Sequence, residues 1–570
     1  MADCRTLNSP CGGKPGSRPR LPRAVAALAG AGALNVLPAL AQTPPDAGSL
    51  LQQLERERAP ALPPPTPPRP RAAPEELRLP AGARIVVRAF RFEGNQRFSD
   101  ETLAAAVSGA LNRPLGFAEL KAAAAAVAAV YRDAGWVVRV DLPPQDVTEG
   151  IVTLRIVEAR FGGVRFDGTP PGRVDPERVT AYFGARQRIG EPLNEHRLAR
   201  ALLLANDLPG VRVTGAMQEG RQDGETDFVL SGSEVPPLSG SVDVDSSGAR
   251  ATGANRVNLA LGWSSPTRRG DLLQGLAVRS DGSSYWRTAY SLPLGNDGWR
   301  LGVSASGLDY RVTAPELRAL GSEGRSDTLG ADLTYPWLRT ERANAYLTLN
   351  ADRKRFLNEA NGAIQSHYGV SSASIGLSAN RLDALGRGGI TSGQLIHTRG
   401  RTAREASDPG TNPRLSESYA KWRFMLARQQ SLAHGLSLHA NLTGQHARQD
   451  LDSSESLQLG GPGGVRAFPS GEGVGSAGWI SSVEVRWQPV GSLTAGVFAD
   501  TGRVRNFSGG PAYGLSGVGL SVAWQAGNGV SGRAVLARRL SDNPNPTSTG
   551  NDQDGSLVLN RLWLSGSFAF

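Results

Sequence analysis

The chain has 570 residues, 39% hydrophobic and 20% charged, with 70 glycines and a formal net charge of +10, a length that spans several domains at roughly 100–200 residues each. Its two cysteines, Cys4 and Cys11, precede the first apolar run, so nothing beyond them can form a disulfide, a thiolate metal site or a nucleophilic thiol. No later uncharged apolar stretch reaches the roughly 20 residues of a helical span, so a membrane protein of this sequence crosses as a β-barrel.

Lys14, Arg18, Arg20 and Arg23 precede the Ala/Leu-rich residues 24–40, and Ala39, Leu40 and Ala41 supply a small-x-small cleavage pattern. Residues 1–41 therefore read as a secretory signal peptide, with an uncleaved anchor helix as the alternative. The positive charge left on the mature chain names no partner, and no Lys/Arg run with interleaved aromatics points to nucleic acid. Residues 47–58 (AGSLLQQLERER) put Leu50, Leu51 and Leu54 on one helical face. The Pro-rich stretch that follows cannot continue a helix and predicts an extended spacer. We divide this region into a helix over 42–59 and a linker over 60–83. A helix moving on a tether and a disordered tail both fit these residues.

Residues 84–158 and 159–236 repeat one pattern, strand, helix, helix, strand, strand. In the first copy, 85–92 is a strand, Ser99 caps a helix, residues 117–134 form a second helix that ends at Gly135, and 136–140 and 151–157 are strands. In the second, 161–166 is a strand, 176–183 and 192–207 are helices, and 211–213 and 227–230 are strands. Each copy is too small to be an enzyme and reads as a binding module. The order, with FRFEGN at 90–95 and YRDAGW at 131–136, resembles POTRA domains, the periplasmic modules of outer-membrane protein translocases. Such modules receive unfolded chains by adding a strand to a sheet edge.

From residue 237 to 570 the helical pattern gives way to short alternating segments separated by Gly, Ser, Asn and Asp. Val257, Leu259, Leu261 and Trp263 form one such row, and Trp479, Val483, Val485 and Trp487 another. Apolar-out alternation with aromatics at segment ends predicts an outer-membrane barrel, and at roughly 20 residues per strand and connection this length holds about sixteen antiparallel strands. Alternation also serves soluble sheets, which leaves a pair of β-sandwiches as the rival fold. Leu562, Leu564, Phe568 and the terminal Phe570 share one face of the last segment, which resembles the C-terminal insertion signal of outer-membrane barrels.

Residues 459–479 (LGGPGGVRAFPSGEGVGSAGW) form a Gly-rich loop with a single arginine, and about thirty residues on a strand reads GVFADTG. There Phe498 and Asp500 share the face opposite Ala495 and Val497, so an apolar lipid face places Asp500 in the lumen, where a guanidinium is a fitting partner. The pair of motifs resembles the VRG[YF] loop and F-x-D-x-G strand of the outer-membrane assembly and two-partner secretion superfamily. That resemblance implies a loop, 457–479, folded into the lumen, with Val465, Arg466, Ala467 and Phe468 at its tip and Phe498, Asp500 and Gly502 on the wall. Ala467 stands where the family usually has glycine, and a left-handed backbone there would strain an alanine.

The six histidines are scattered without HExxH, GxSxG is absent, and Gly473-x-Gly475-x-x-Gly478 precedes a strand rather than a helix, so neither an enzyme nor a metal or cofactor site is expected. Signal, helix, Pro-rich linker, two POTRA-like units and barrel together resemble the two-partner secretion transporters, the hemolysin activator and filamentous-hemagglutinin exporter family. The resemblance implies a helix that plugs the barrel and a Gram-negative outer-membrane pore that exports, and in some cases activates, one large β-helical exoprotein without ATP. The implied partners are that exoprotein, the barrel-assembly machinery, periplasmic chaperones and outer-membrane lipid. The alternatives are an outer-membrane protein insertase and a solute porin.

Overall fold

The structure is a computed structural model that describes residues 45–57, 84–222, 224–410, 418–508, 512–547 and 549–570. The expected signal peptide, 1–41, and linker, 60–83, lie outside the described residues.

In the first unit, strand Ala89–Glu93 runs parallel to the central Ile151–Glu158, which pairs antiparallel with Val138–Asp141. Helix Phe117–Asp133 starts where the Glu119 carboxylate accepts the Gly116 amide at 2.7 Å, and the chain turns away at Gly135, φ +81°. Its buried Leu120, Val127 and Tyr131 pack on Val152, Leu154 and Ile156. The single strand expected at 85–92 is broken: Ile85–Val86 pairs with Pro114–Leu115, while the amides of Arg88 and Ala89 both donate to the Gly150 carbonyl. The second unit repeats the arrangement with sheet order Arg160–Phe166, Glu225–Glu234, Val211–Glu219 and helices Pro176–Gly184 and Glu195–Asn206. Its core gathers Phe161, Tyr182, Phe183, Leu198 and Phe228.

Two expected boundaries shift for one reason. Leu193 exchanges backbone bonds with Val137 and Ala159 at 3.1 and 2.8 Å, and Trp136 bridges Asn194. The chain before the long helix is thus spent joining the units, and the helix starts at Glu195 behind an Asn194 cap.

Sixteen antiparallel strands close into a barrel, the first, Leu238–Asp245, pairing with the last, Asn560–Ala569. Val257, Leu259, Leu261, Trp263, Leu301, Val303 and Leu520 stand exposed on the outer wall, and their strand neighbours turn inward. No helix among the described residues is long and apolar enough to cross a membrane; the strands do the crossing. Strand lengths are uneven: Leu272–Arg279 has 8 residues, whereas Ala343–Ala360 and Ala363–Asp383 have 18 and 21.

The second unit sits against the turns at one end of the barrel. Arg339 grips Asp207 with two bonds of 2.8 and 2.9 Å, Arg200 donates to the Pro336 carbonyl at 2.6 Å, and Ser265 donates to that of Pro209. Arg186 pairs with Asp297. At the other end, long connections fold back inside, and helix Ala47–Glu57 lies among them.

Candidate functional site

Between strands Leu436–Ala447 and Ala477–Val490 the chain enters the lumen, turns at Ser453–Glu455 and forms a two-residue ladder, Leu457–Gln458 against Val474–Gly475. Beyond this stem the Leu459 and Gly460 amides donate to the carbonyls of Gly473 and Glu472, closing a compact tip. Val465, Ala467 and Phe468 are fully buried there, packed with Phe498, Leu515, Ala537 and Trp563.

The tip delivers Arg466 to the wall. Its Nε and one terminal nitrogen donate to the two Asp500 oxygens at 2.8 and 2.9 Å, and the other terminal nitrogen donates to Glu484 at 2.9 Å. Ser482 accepts a further bond at 3.1 Å, the Arg466 amide donates to Asp500, and the Trp563 indole donates to the Arg466 carbonyl at 2.8 Å. The guanidinium lies 3.3 Å from the Phe498 ring centroid. A charge buried to 5% exposure is tolerable only when its donors are met in this way.

Two wall glycines make the approach possible. A Cβ on Gly502 would come within 2.9 Å of the Leu459 side chain, and one on Gly517 within 2.5 Å of Ala467 Cβ. Ala467 has an ordinary negative φ, so no strain arises where the family's glycine is missing. Its methyl fills the space that Gly517 leaves.

Helix Ala47–Glu57 docks on the same loop. Leu50, Leu51 and Leu54 are buried against luminal residues including Tyr310, Phe356, Tyr368 and Tyr419. The Ala47 amide donates to Asn358 at 2.8 Å, Gln52 to the Ser456 carbonyl at 3.2 Å, and Gln458 to the Ser49 carbonyl at 3.0 Å. Arg56 donates to the carbonyls of Gln458 and Gly463. A charge-balanced cluster completes the joint: Lys354 pairs with Glu55 at 3.1 Å and Glu455 at 3.3 Å, and Lys421 pairs with Glu455 at 2.7 Å. Asp452, in the loop outside the spanning strands, is pushed up to about 6, first by burial and then by the nearby Asp46 carboxylate.

A second connection, residues 540–547 and 549–559, buttresses the loop. Buried Glu472 accepts from the Tyr513 hydroxyl, from Asn543 at 3.0 Å and from the Gln553 amide at 2.8 Å, while Asp552 takes Arg539 and Asn543. Arg539 stacks 4.4 Å from the Phe468 ring. Phe570, by contrast, lies far from this site on the outer wall, its backbone pairing with Gly240 in both directions at 2.9 Å.

Sequence reasoning missed Glu484, Trp563, Lys354, Lys421 and Glu455. For Glu484 the signal existed: between outward Val483 and Val485, alternation turns it into the lumen. Lys421, just before outward Trp422, carries the same mark. Trp563, between outward Leu562 and Leu564, carries it too, although its partner comes from a distant loop, and Glu455 lies in a loop where no alternation applies.

Residues 224–524, more than half of the chain, match the family described as haemolysin secretion/activation protein ShlB/FhaC/HecB. The chain belongs to that family. Residues 85–159 match the ShlB-type POTRA domain. The chain is 24% identical over 421 residues to the heme/hemopexin transporter protein HuxB of Haemophilus influenzae, covering 72% of this chain and 74% of that protein. It is 26% identical over 449 residues to the outer membrane transporter CdiB of Dickeya dadantii, covering 75% and 77%. Among solved structures, CdiB from Escherichia coli superposes with a TM-score of 0.71 at 21% identity, covering 93% of this chain and 99% of that one. The chain is thus an outer-membrane transporter of the two-partner secretion type, with its POTRA units in the periplasm and a secreted protein as its partner.

Proposed function

We propose that this transporter exports one large β-helical exoprotein of the hemolysin, hemagglutinin or adhesin type through its own lumen. On this reading it works without ATP and has no enzymatic activity. Residues 1–41 direct export from the cytoplasm, periplasmic chaperones and the barrel-assembly machinery deliver the chain to outer-membrane lipid, and Phe570 belongs to the insertion signal. Helix 47–57 is the resting plug. The observation that carries this reading is the luminal joint, in which Arg56 of the helix binds the loop that Arg466 anchors to the wall while Glu55 pairs with Lys354 on strand Ala343–Ala360. Nothing the size of a polypeptide passes until helix and loop shift, so the same contacts set the closed state. Recognition of the arriving chain falls to the second POTRA unit, whose edge strand Arg160–Phe166 borders a groove of about 760 Å³ against helix Pro176–Gly184.

The test is secretion in cells producing the transporter and a large exoprotein encoded beside it. Arg466→Ala should leave a folded, membrane-inserted barrel and reduce exported partner at least tenfold. Full export by that variant would refute the gating role of the loop.

A further inference from the structure

Strands Ala343–Ala360 and Gly389–Arg404 both start at the periplasmic end of the barrel, where the preceding turns face the POTRA units. A tilted strand crosses the apolar layer in about 9–11 residues, which brings Arg353 and Arg399 to the outer headgroup level. The outer wall marks that level independently. Leu349 pairs with Ile375, Ile375 with His397 and His397 with Trp422, and the rings of His397 and Trp422 stack at 4.4 Å. These four residues face outward, apolar below and aromatic at the upper limit, as interfacial belts do.

Just beyond them the same face turns cationic. Arg353 pairs with Ser371, and Ser371 with Arg401. Arg399 pairs with Ala373, and Arg355 with Gly369. With strands about 4.8 Å apart, four arginines stand on two strands either side of a floor made of Gly369, Ser371 and Ala373. All four are exposed, and none makes a hydrogen bond or ion pair with the described residues. The nearest carboxylate across the register, Asp327 opposite Arg355, is held by Arg325 at 3.0 Å. Elsewhere on this rim Arg279, Arg311 and Arg325 are interspersed with Asp281, Asp309 and Glu323, which balance them.

We propose that Arg353, Arg355, Arg399 and Arg401 form an external binding site for the phosphorylated headgroup of an outer-leaflet glycolipid. Guanidinium forks take phosphate oxygens two at a time, the small-residue floor lets a headgroup lie against the wall, and the stacked rings below face its acyl chains.

The purified full-length transporter is released from detergent into native mass spectrometry with diphosphoryl lipid A, with dephosphorylated lipid A, or with diphosphoryl lipid A plus millimolar inorganic phosphate. The wild type should retain the diphosphoryl form at least fivefold better than the dephosphorylated one, and inorganic phosphate should leave that adduct in place. The variant R353Q/R355Q/R399Q/R401Q, checked as folded by heat-modifiable migration, should lose the adduct at least fivefold, and the corresponding all-lysine variant, which keeps the charge without the fork, should bind more weakly than the wild type. Equal retention by the glutamine variant would overturn the proposal, as would a lysine variant that retains the adduct as well as the wild type. Displacement by inorganic phosphate would overturn it in favour of a small-anion site.

Discussion

Arg466 shows how much structure one side chain can hold. Five groups on three strands converge on it, and removing one partner of such a buried pair costs about 3–5 kcal/mol. Asp500→Asn keeps the shape and removes the charge, so it should loosen the tip without unfolding the barrel. The mature chain proposed here lacks cysteine, and Val465, fully buried at the tip, offers a reporter position. A thiol placed by Val465→Cys should label slowly in the parent and at least tenfold faster beside Asp500→Asn; equal rates would show that the charge does not anchor the tip. Asp452 adds a pH response. Its carboxyl titrates near 6 in the docked state against an ordinary 3.8, so docking gains from protonation, fully below about pH 4, and loses that gain as pH rises through 6. Channel openings in planar bilayers should therefore be more frequent at pH 7.5 than at pH 5, and Asp452→Asn should flatten the difference. At this scale the sequence was half legible. Alternation alone put Phe498 and Asp500 on the inner face, but Trp563 lies 97 residues from Arg466, and only closure of the barrel brings it there.

The helix Ala47–Glu57 was legible as an amphipathic element and illegible as to its partner. Three leucines on one face announce burial, yet a periodicity contains no address. The luminal surface that receives them comes from strands about 260 to 370 residues further along. The opposite face carries its own information, since Glu55 and Arg56 bind Lys354 and the Arg466 loop rather than water. Deleting residues 47–57 should raise the open-state conductance of the purified barrel several-fold and abolish most closed intervals. Unchanged conductance would mean that the loop alone seals the lumen. The POTRA elements were read with errors at their junction and in the first strand, which is broken at Val87–Arg88. Trp136 and Leu193 carry strand and helix propensities, but tertiary pairing between the units claims both backbones first.

For the whole molecule, the barrel was legible because a wall with one lipid face and one wet face must alternate, and the strand count followed from length. What length could not supply was how the periplasmic units attach. That attachment rests on a few arginines, chiefly Arg339, whose side chain is 6% exposed and shared between Asp207 and Asn344. Asp207→Ala leaves that guanidinium with one uncharged partner. Hydrogen exchange should rise in helix Glu195–Asn206 and in the turn after Arg339, while the barrel strands keep their protection.

The unequal strands have a consequence for the exit. Strands of 18 and 21 residues outrun the apolar layer by about half their length, whereas those of 8 and 9 residues across the mouth end near the lipid surface. The opening is therefore a chute with one high side. A polypeptide emerging from it meets a ready-made β-wall on that side and open water on the other, so its first contact outside the cell is directional before any of it has folded.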